Sequence, residues 1–105
     1  MYKMKREREK MTYSIAKTIR DQITTIDKMA LWAWGAKNLI ALENGLRFKS
    51  SGMTTWKGLV TITLNGRDLY DVEFGRIRKY EYKTVKTVND VYVEDLVHVI
   101  DMQVG

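Results

Sequence analysis

Cysteine and proline are both absent from the 105-residue sequence, and histidine occurs once. Without cysteine the chain can form no disulfide, no thiolate zinc site and no cysteine nucleophile. No apolar run is long enough to cross a bilayer, and the first residues lack the apolar segment of a secretory signal. These absences predict a cytoplasmic protein with no membrane contact, no metal site and no cofactor.

The composition is that of a folded protein, with 45% hydrophobic and 30% charged residues. A chain of this length fits one domain, because two separate cores would each be near the lower size limit for stability. Residues 1–10 carry five basic and two acidic side chains, which is +3 of the net charge of +5. We therefore predict a basic N-terminal arm or helix extension over 1–10 and a single domain over 11–105.

Apolar residues at helical spacing mark the N-terminal part of the chain. A helix over about 12–24 is predicted by isoleucines at intervals of four, four and three, namely Ile15, Ile19, Ile23 and Ile26. One of the two threonines at 24 and 25 can cap a second helix, which Gly35 ends because glycine adopts positive φ without a Cβ clash. The inner stripe predicted for the second helix comprises Ile26, Met29, Ala30 and Ala33.

From Asn38 onward the pattern alternates as in β-strands. "NLIAL" and "LRFK" flank Asn44-Gly45, a dipeptide typical of a type I′ hairpin turn, and we assign the residues at 37 and 38 to the preceding turn. In "LYDVEFGRIR" the apolar residues Tyr70, Val72 and Phe74 share one face. The preceding strand ends in "ITL" (62–64). A loop with an odd number of residues is needed to place its Ile62 on the same face, so we predict a three-residue loop after this strand.

A bulge at Gly75 is expected to place Ile77 beside Phe74 and to bring the flanking arginines to the acidic face. A last strand covers "YEYKTVKTV", and Asn89 or Asp90 can cap a closing helix. The apolar stripe of that helix comprises Val93, Leu96, Val97 and Ile100. The predicted fold is α+β, with the N-terminal helices and the C-terminal helix on one face of an antiparallel sheet of about four or five strands.

Three blocks, "GAKN" (35–38), "NGLRF" (44–48) and "ITLNGRDLYDVEFGRIR" (62–78), resemble a group of small proteins encoded by phages and other mobile elements. The resemblance spans roughly 15–97 and is strongest in the last block. The group has no assigned activity, so the resemblance implies an origin rather than a mechanism. Its members have a smaller residue than Trp34 before "GAKN" and do not share the basic first ten residues.

Catalytic groupings are sparse in this sequence. His98 lies among apolar residues of the closing helix with no accompanying serine or carboxylate motif, which favours a partly exposed or capped structural role. Asp71 and Glu73 share a strand face, but Arg76 and Arg78 lie close by, so cross-strand ion pairs explain the pattern more simply than acid–base catalysis. We therefore expect a protein that is not an enzyme.

Two functions of different classes are compatible with the sequence. The preferred one is a phage-type accessory protein that binds a host protein and inhibits or redirects it. Aromatic and methionine side chains dominate such interfaces, and the candidate anchors are Trp34, Met53 and Trp56. Of the two neighbouring indoles, at 32 and 34, we expect one in the core and the other at the surface. Self-association through an exposed edge strand is left open.

The alternative is a nucleic-acid-binding protein. Basic side chains in the arm and on the outer face of the sheet can contact phosphates, and an aromatic residue beside a lysine can stack on an unpaired base. The candidate residues are Lys3, Lys5, Arg6, Arg8, Lys10, Arg47, Lys49, Lys57, Arg76 and Arg78. Two acidic residues dilute the outer face and no RNP-like motif is present, so a mixed, solvated sheet face is the more common meaning of this alternation.

Overall fold

Five antiparallel strands form a meander in chain order, and helices from the two ends of the chain cover one of its faces. The computed structural model describes residues 2–50 and 57–104, with side chains from Ser14 onward. The elements are α1 (Tyr2–Ile26), α2 (Ala30–Ala33), β1 (Ala36–Leu42), β2 (Gly45–Ser50), β3 (Gly58–Leu64), β4 (Tyr70–Arg78), β5 (Glu81–Val91), a 3₁₀ turn (Val93–Asp95) and α3 (Leu96–Val104). The predicted α+β class is confirmed.

The core lies between the helices and the inner face of the sheet. Alternate residues of the central strands point inward, as their apolar periodicity predicts, and β4 presents Tyr70, Val72 and Phe74 at 6%, 0% and 0% exposure. The other buried apolar residues are Ala16, Ile19, Ile23, Ala30, Trp34, Leu46, Phe48, Val60, Ile62, Val91, Leu96, Val97, Ile100 and Val104. The opposite, outer face of the sheet has no helix packed on it within the part of the chain that is described.

The N-terminal helices differ from the prediction at their junction. Helix α1 runs from Tyr2 to Ile26, so the described helix includes residues 2–10 of the basic segment. The two threonines expected to cap a second helix instead donate to carbonyls of α1's own last turns. Helix α2 is a single turn that begins at Ala30, and Gly35 follows it at φ 62°, as predicted. Of the predicted inner stripe only Ala30 is buried, since α2 is a single turn, whereas Ile26, Met29 and Ala33 are exposed.

The first hairpin turns one residue earlier than the Asn-Gly dipeptide suggests. Glu43 and Asn44 form the two-residue loop, neither has positive φ, and Gly45 already pairs with Leu42. The turn is therefore not type I′. The "KN" residues assigned to a turn belong to β1, where Asn38 adopts φ 54° at a bulge.

Gly45 is required for close approach rather than for turn geometry. A Cβ at this position would overlap the backbone carbonyl of Ile62 on β3. We expect Gly45→Ala to lower the unfolding free energy by about 1–3 kcal/mol or more, because the backbone of a central strand would have to shift. Gly66→Ala is the matched control, since nothing lies within 4 Å of its Cβ position. Urea unfolding that finds equal losses for the two variants would contradict the close-approach role.

The second hairpin has the predicted three-residue loop. The backbone N–H of Asn65 donates to the backbone carbonyl of Leu69 at 2.8 Å, and the three residues between them form the loop. The Asn65 side-chain oxygen accepts the backbone amides of Arg67 and Leu69, while its nitrogen donates to Asp71 and Asp90. Asn65 thus organises the loop and ties it to β4 and β5.

The third hairpin departs from prediction in two ways. The ladder does slip beside Gly75, but the extra residue is Val85 on β5, because Phe74 pairs with Lys86 and Gly75 with Thr84. Strand β4 therefore keeps strict alternation. Its residue Ile77 lies on the outer face, not beside Phe74, and the two flanking arginines lie on the opposite side of the ribbon from the acidic residues.

The closing helix begins later than predicted. Both Asn89 and Asp90 belong to β5, and the cap position before the 3₁₀ turn is Tyr92, which makes no side-chain capping bond. Leu96, Val97 and Ile100 are buried as expected. Among the described helices, none has the length and apolar character needed to cross a membrane.

Tyr70 links the sheet to α1 by donating its phenol hydrogen to Gln22. Burial raises the pKa of the Tyr70 phenol, and the Gln22 bond only partly offsets this effect. Above its ordinary pKa of about 10, the unfolded chain loses the proton first, so the unfolding free energy falls as pH rises. Tyr70→Phe should therefore lose less stability than the wild type between about pH 9 and 11 in urea unfolding. Parallel pH profiles for the two proteins would contradict this.

Candidate nucleic-acid interface

The end of the third hairpin is a strongly basic surface. Residues 76–86, here called the hairpin tip, contain five basic side chains and one acidic side chain, so their net charge is +4. The basic residues are Arg76, Arg78, Lys79, Lys83 and Lys86. Every residue of the tip is exposed, because β4 and β5 extend past the core. Both sides of this two-stranded ribbon are therefore open to a partner.

A two-residue turn of type I′ closes the hairpin tip. Lys79 and Tyr80 have φ values of 50° and 67°, both in the left-handed region that this turn requires. Its twist matches that of the paired strands, so the turn continues the ribbon without splaying it. The Tyr80 side chain is fully exposed at the apex.

The outer face beside the tip holds an ordered row of polar groups. Arg47 on β2 donates from Nε to the hydroxyl of Thr61 on β3, at 3.0 Å. In the next strands, the Tyr82 hydroxyl donates to the carboxylate of Glu73. The phenol end of Tyr82 occupies the space that a side chain at Gly75 would take. Glycine at this position thus lets the tyrosine lie close to the sheet.

The pKa of the Tyr82 phenol is raised. Partial burial is the largest cause, and the hydrogen bond and the negative charge of Glu73 act in the same direction. The positive charge of Arg47 and a side-chain hydrogen bond with Thr84 lower this pKa by smaller amounts. The neutral phenol therefore remains a hydrogen-bond donor to Glu73 at physiological pH.

Two lysines add like charge to the outer face. Lys37 of β1 stands directly opposite Lys49 of β2, and both are exposed. Like charges directly opposite each other on neighbouring strands destabilise a sheet. An anion bound between the two ammonium groups would relieve this repulsion. Lys57 is also exposed and directly precedes β3.

The structure separates the predicted nucleic-acid residues into three groups, with Lys57 apart from them just before β3. Arg47 and Lys49 lie on the outer face, as expected from the alternation of β2. Arg76 and Arg78 belong to the hairpin tip, on the opposite side of its ribbon from Tyr82. The arm residues lie in α1, where side chains are outside the described residues: Lys3, Lys5, Arg6, Arg8 and Lys10.

Of the three predicted protein-binding anchors, Trp34 is the one that lies within the described residues. Trp34 is 1% exposed, so it cannot be a surface anchor, whereas Trp32 is 63% exposed. The expectation that one indole is core and the other surface is confirmed. Helix α2 has only one turn, so its sequence could not indicate which indole faces the sheet. Met53 and Trp56 lie outside the described residues.

The nucleic-acid residues predicted from the sequence do not include the tyrosines and lysines of the tip. The signal that could have found them is local charge: residues 76–86 carry +4 against +3 for residues 1–10. Tyr80 and Tyr82 lie within this basic run, a combination typical of single-strand binders.

Groups suited to catalysis are dispersed in the described structure. His98 is exposed on α3. Among the side chains that are described, those of residues 14–50 and 57–104, no three His, Asp or Glu are grouped so that they could hold a metal ion. The carboxylates of Asp71 and Asp90 both accept hydrogen bonds from the side-chain nitrogen of Asn65, and Asp90 also accepts one from the Arg67 guanidinium at 3.1 Å. Those contacts hold the loop together.

No protein-family model matches the chain, and neither a curated protein nor a solved structure matches it.

Proposed function

We propose that this protein binds nucleic acid through the hairpin tip and the adjoining outer face. The observation that carries the proposal is the +4 charge of a fully exposed β-ribbon that also bears two tyrosines. Lysines and arginines bind phosphates and release condensed counterions, which drives association without a requirement for sequence. A protein-binding function has less support, because Trp34, the described candidate anchor for a protein partner, is buried.

Fluorescence anisotropy with labelled single- and double-stranded DNA and RNA at several salt concentrations tests this function. If three or four phosphates are contacted, the logarithm of the association constant should fall with the logarithm of salt concentration at a slope of about −3. The absence of binding at low salt would refute the proposal. Binding that does not change with salt would refute the phosphate contacts on which it depends.

The basic segment 1–10 extends the same proposal. It carries five basic side chains in the first turns of α1. Deleting it should weaken binding and make the salt slope shallower, by about one unit for each phosphate that the shortened protein no longer binds. An unchanged slope would assign the phosphate contacts to the sheet and the tip alone.

A protein partner is the second candidate function because the tip also exposes apolar side chains. Ile77 is 63% exposed and Val85 is 49% exposed. Apolar contact area of this kind fits a partner surface that is acidic and apolar. Unlike phosphate binding, that association should survive high salt, so titration over the same salt range also separates the two candidates.

A further inference from the structure

We infer that the ligand of this face is single-stranded nucleic acid and that Tyr82 is the platform on which an unpaired base stacks. The inference rests on the proposed function and adds the strand form and the residue that recognises it. It comes from the way the structure holds the Tyr82 ring.

Tyr82 is fixed at both ends of its side chain. Its backbone belongs to the β4–β5 ladder, where Tyr82 pairs with Ile77, and its hydroxyl is tied to Glu73. The missing side chain at Gly75 provides the space for the phenol end of the ring. Nevertheless, 40% of the residue stays exposed on the outer face. An aromatic group ordered in advance loses little conformational entropy when a base stacks on it.

Tyr80 lacks this preparation. It projects from the turn with its whole side chain in solvent. Ordering such a side chain on a ligand costs rotamer entropy that Tyr82 has already lost on folding. The stacking role is therefore assigned to Tyr82.

The surrounding cations suit a strand whose backbone passes beside the ring. Arg47 is held by Thr61 on the same face as the ring, and Lys37 and Lys49 also lie on that face. Cations along a groove that also carries an exposed aromatic ring are the usual components of a single-strand site. In a duplex, neighbouring base pairs already cover both faces of each base, so a fixed ring on a sheet finds nothing to stack on. Charge and ring together thus favour the single strand.

The test compares three labelled DNA probes of equal length, about 12 nucleotides: oligo(dT), a fully abasic strand, and a duplex. We expect the wild type to bind oligo(dT) about 10-fold more tightly than the abasic strand, because base–aromatic stacking contributes only to the former. Tyr82→Ala should remove this preference and leave abasic-strand affinity unchanged. Tyr82→Phe keeps the ring and should retain most of the preference.

Tyr92→Ala is the matched control, because Tyr92 is 58% exposed between β5 and α3, outside the tip. It should bind all three probes as the wild type does, and circular dichroism should show each variant folded. Equal wild-type affinity for all three probes, with no effect of Tyr82→Ala, would overturn the inference but leave salt-dependent binding, and hence the proposed function, intact. Failure to bind any probe at low salt would overturn both.

Discussion

Replacing Trp34 by alanine should cost about 3–5 kcal/mol of unfolding free energy, a large part of the total for a domain of this size. The Trp34 side chain is 1% exposed and stacks in parallel on Phe48 of β2, with 6.0 Å between ring centroids. Its indole nitrogen donates to Asp101 of α3, and its carbonyl accepts the hydroxyl of the fully buried Ser50. Trp34 therefore joins α2 to the sheet and to the closing helix.

Trp32→Ala is the matched control for this prediction, because the two indoles are two residues apart and Trp32 is 63% exposed. We expect it to change stability by only about 0.5 kcal/mol. Trp34→Phe keeps an aromatic ring against Phe48 and loses the bond to Asp101, which should cost about 1 kcal/mol plus the lost ring volume. Urea unfolding measures all three. Similar losses for the two alanine variants would show that Trp34 is not the residue that joins these elements.

The strands could be predicted because one face of the sheet is buried, and the alternation of apolar and polar residues then determines which side chains point inward. Once Tyr70, Val72 and Phe74 are assigned inward, the parity of the β3–β4 loop follows, and the structure has the three-residue loop. The turns were less predictable because glycine can be required either for the backbone conformation of a turn or for the close approach of two strands. Gly45 follows asparagine as in a type I′ turn, yet it is needed where β2 passes close to β3. The actual type I′ turn is Lys79-Tyr80, which has no glycine or asparagine to indicate it.

The candidate site could be predicted only in part. Arg47 and Lys49 were placed on the outer face by the alternation of β2 alone. The same alternation gave the wrong face for Ile77, because either strand of a pair can carry the extra residue of a bulge. Here the extra residue is Val85 on β5. The position of Tyr82 against Gly75 depends on that shifted pairing of β4 and β5. The apolar periodicity of either β-strand alone could not predict it.

Reversing three charges of the hairpin tip should have the largest effect on binding. In the variant R78E/K79E/K83E every changed residue is exposed, so the fold should persist. Because three cations no longer bind phosphates, the salt slope should become shallower by about 2, and affinity for single-stranded DNA should fall by about 100-fold or more at about 0.1 M salt. Anisotropy titration over a range of salt concentrations measures both quantities.

A variant with the same change in net charge separates local contact from general attraction. K17E/R20E/K28E reverses three exposed cations on α1 and on the segment that follows it, away from the outer face. Its total charge equals that of the tip variant, so both have the same long-range attraction for a polyanion. If the tip holds the phosphates, the helix variant should retain a near wild-type salt slope, because its cations release no counterions from the bound strand. Equal reductions in affinity for the two variants would mean that net charge, rather than the hairpin tip, drives the association.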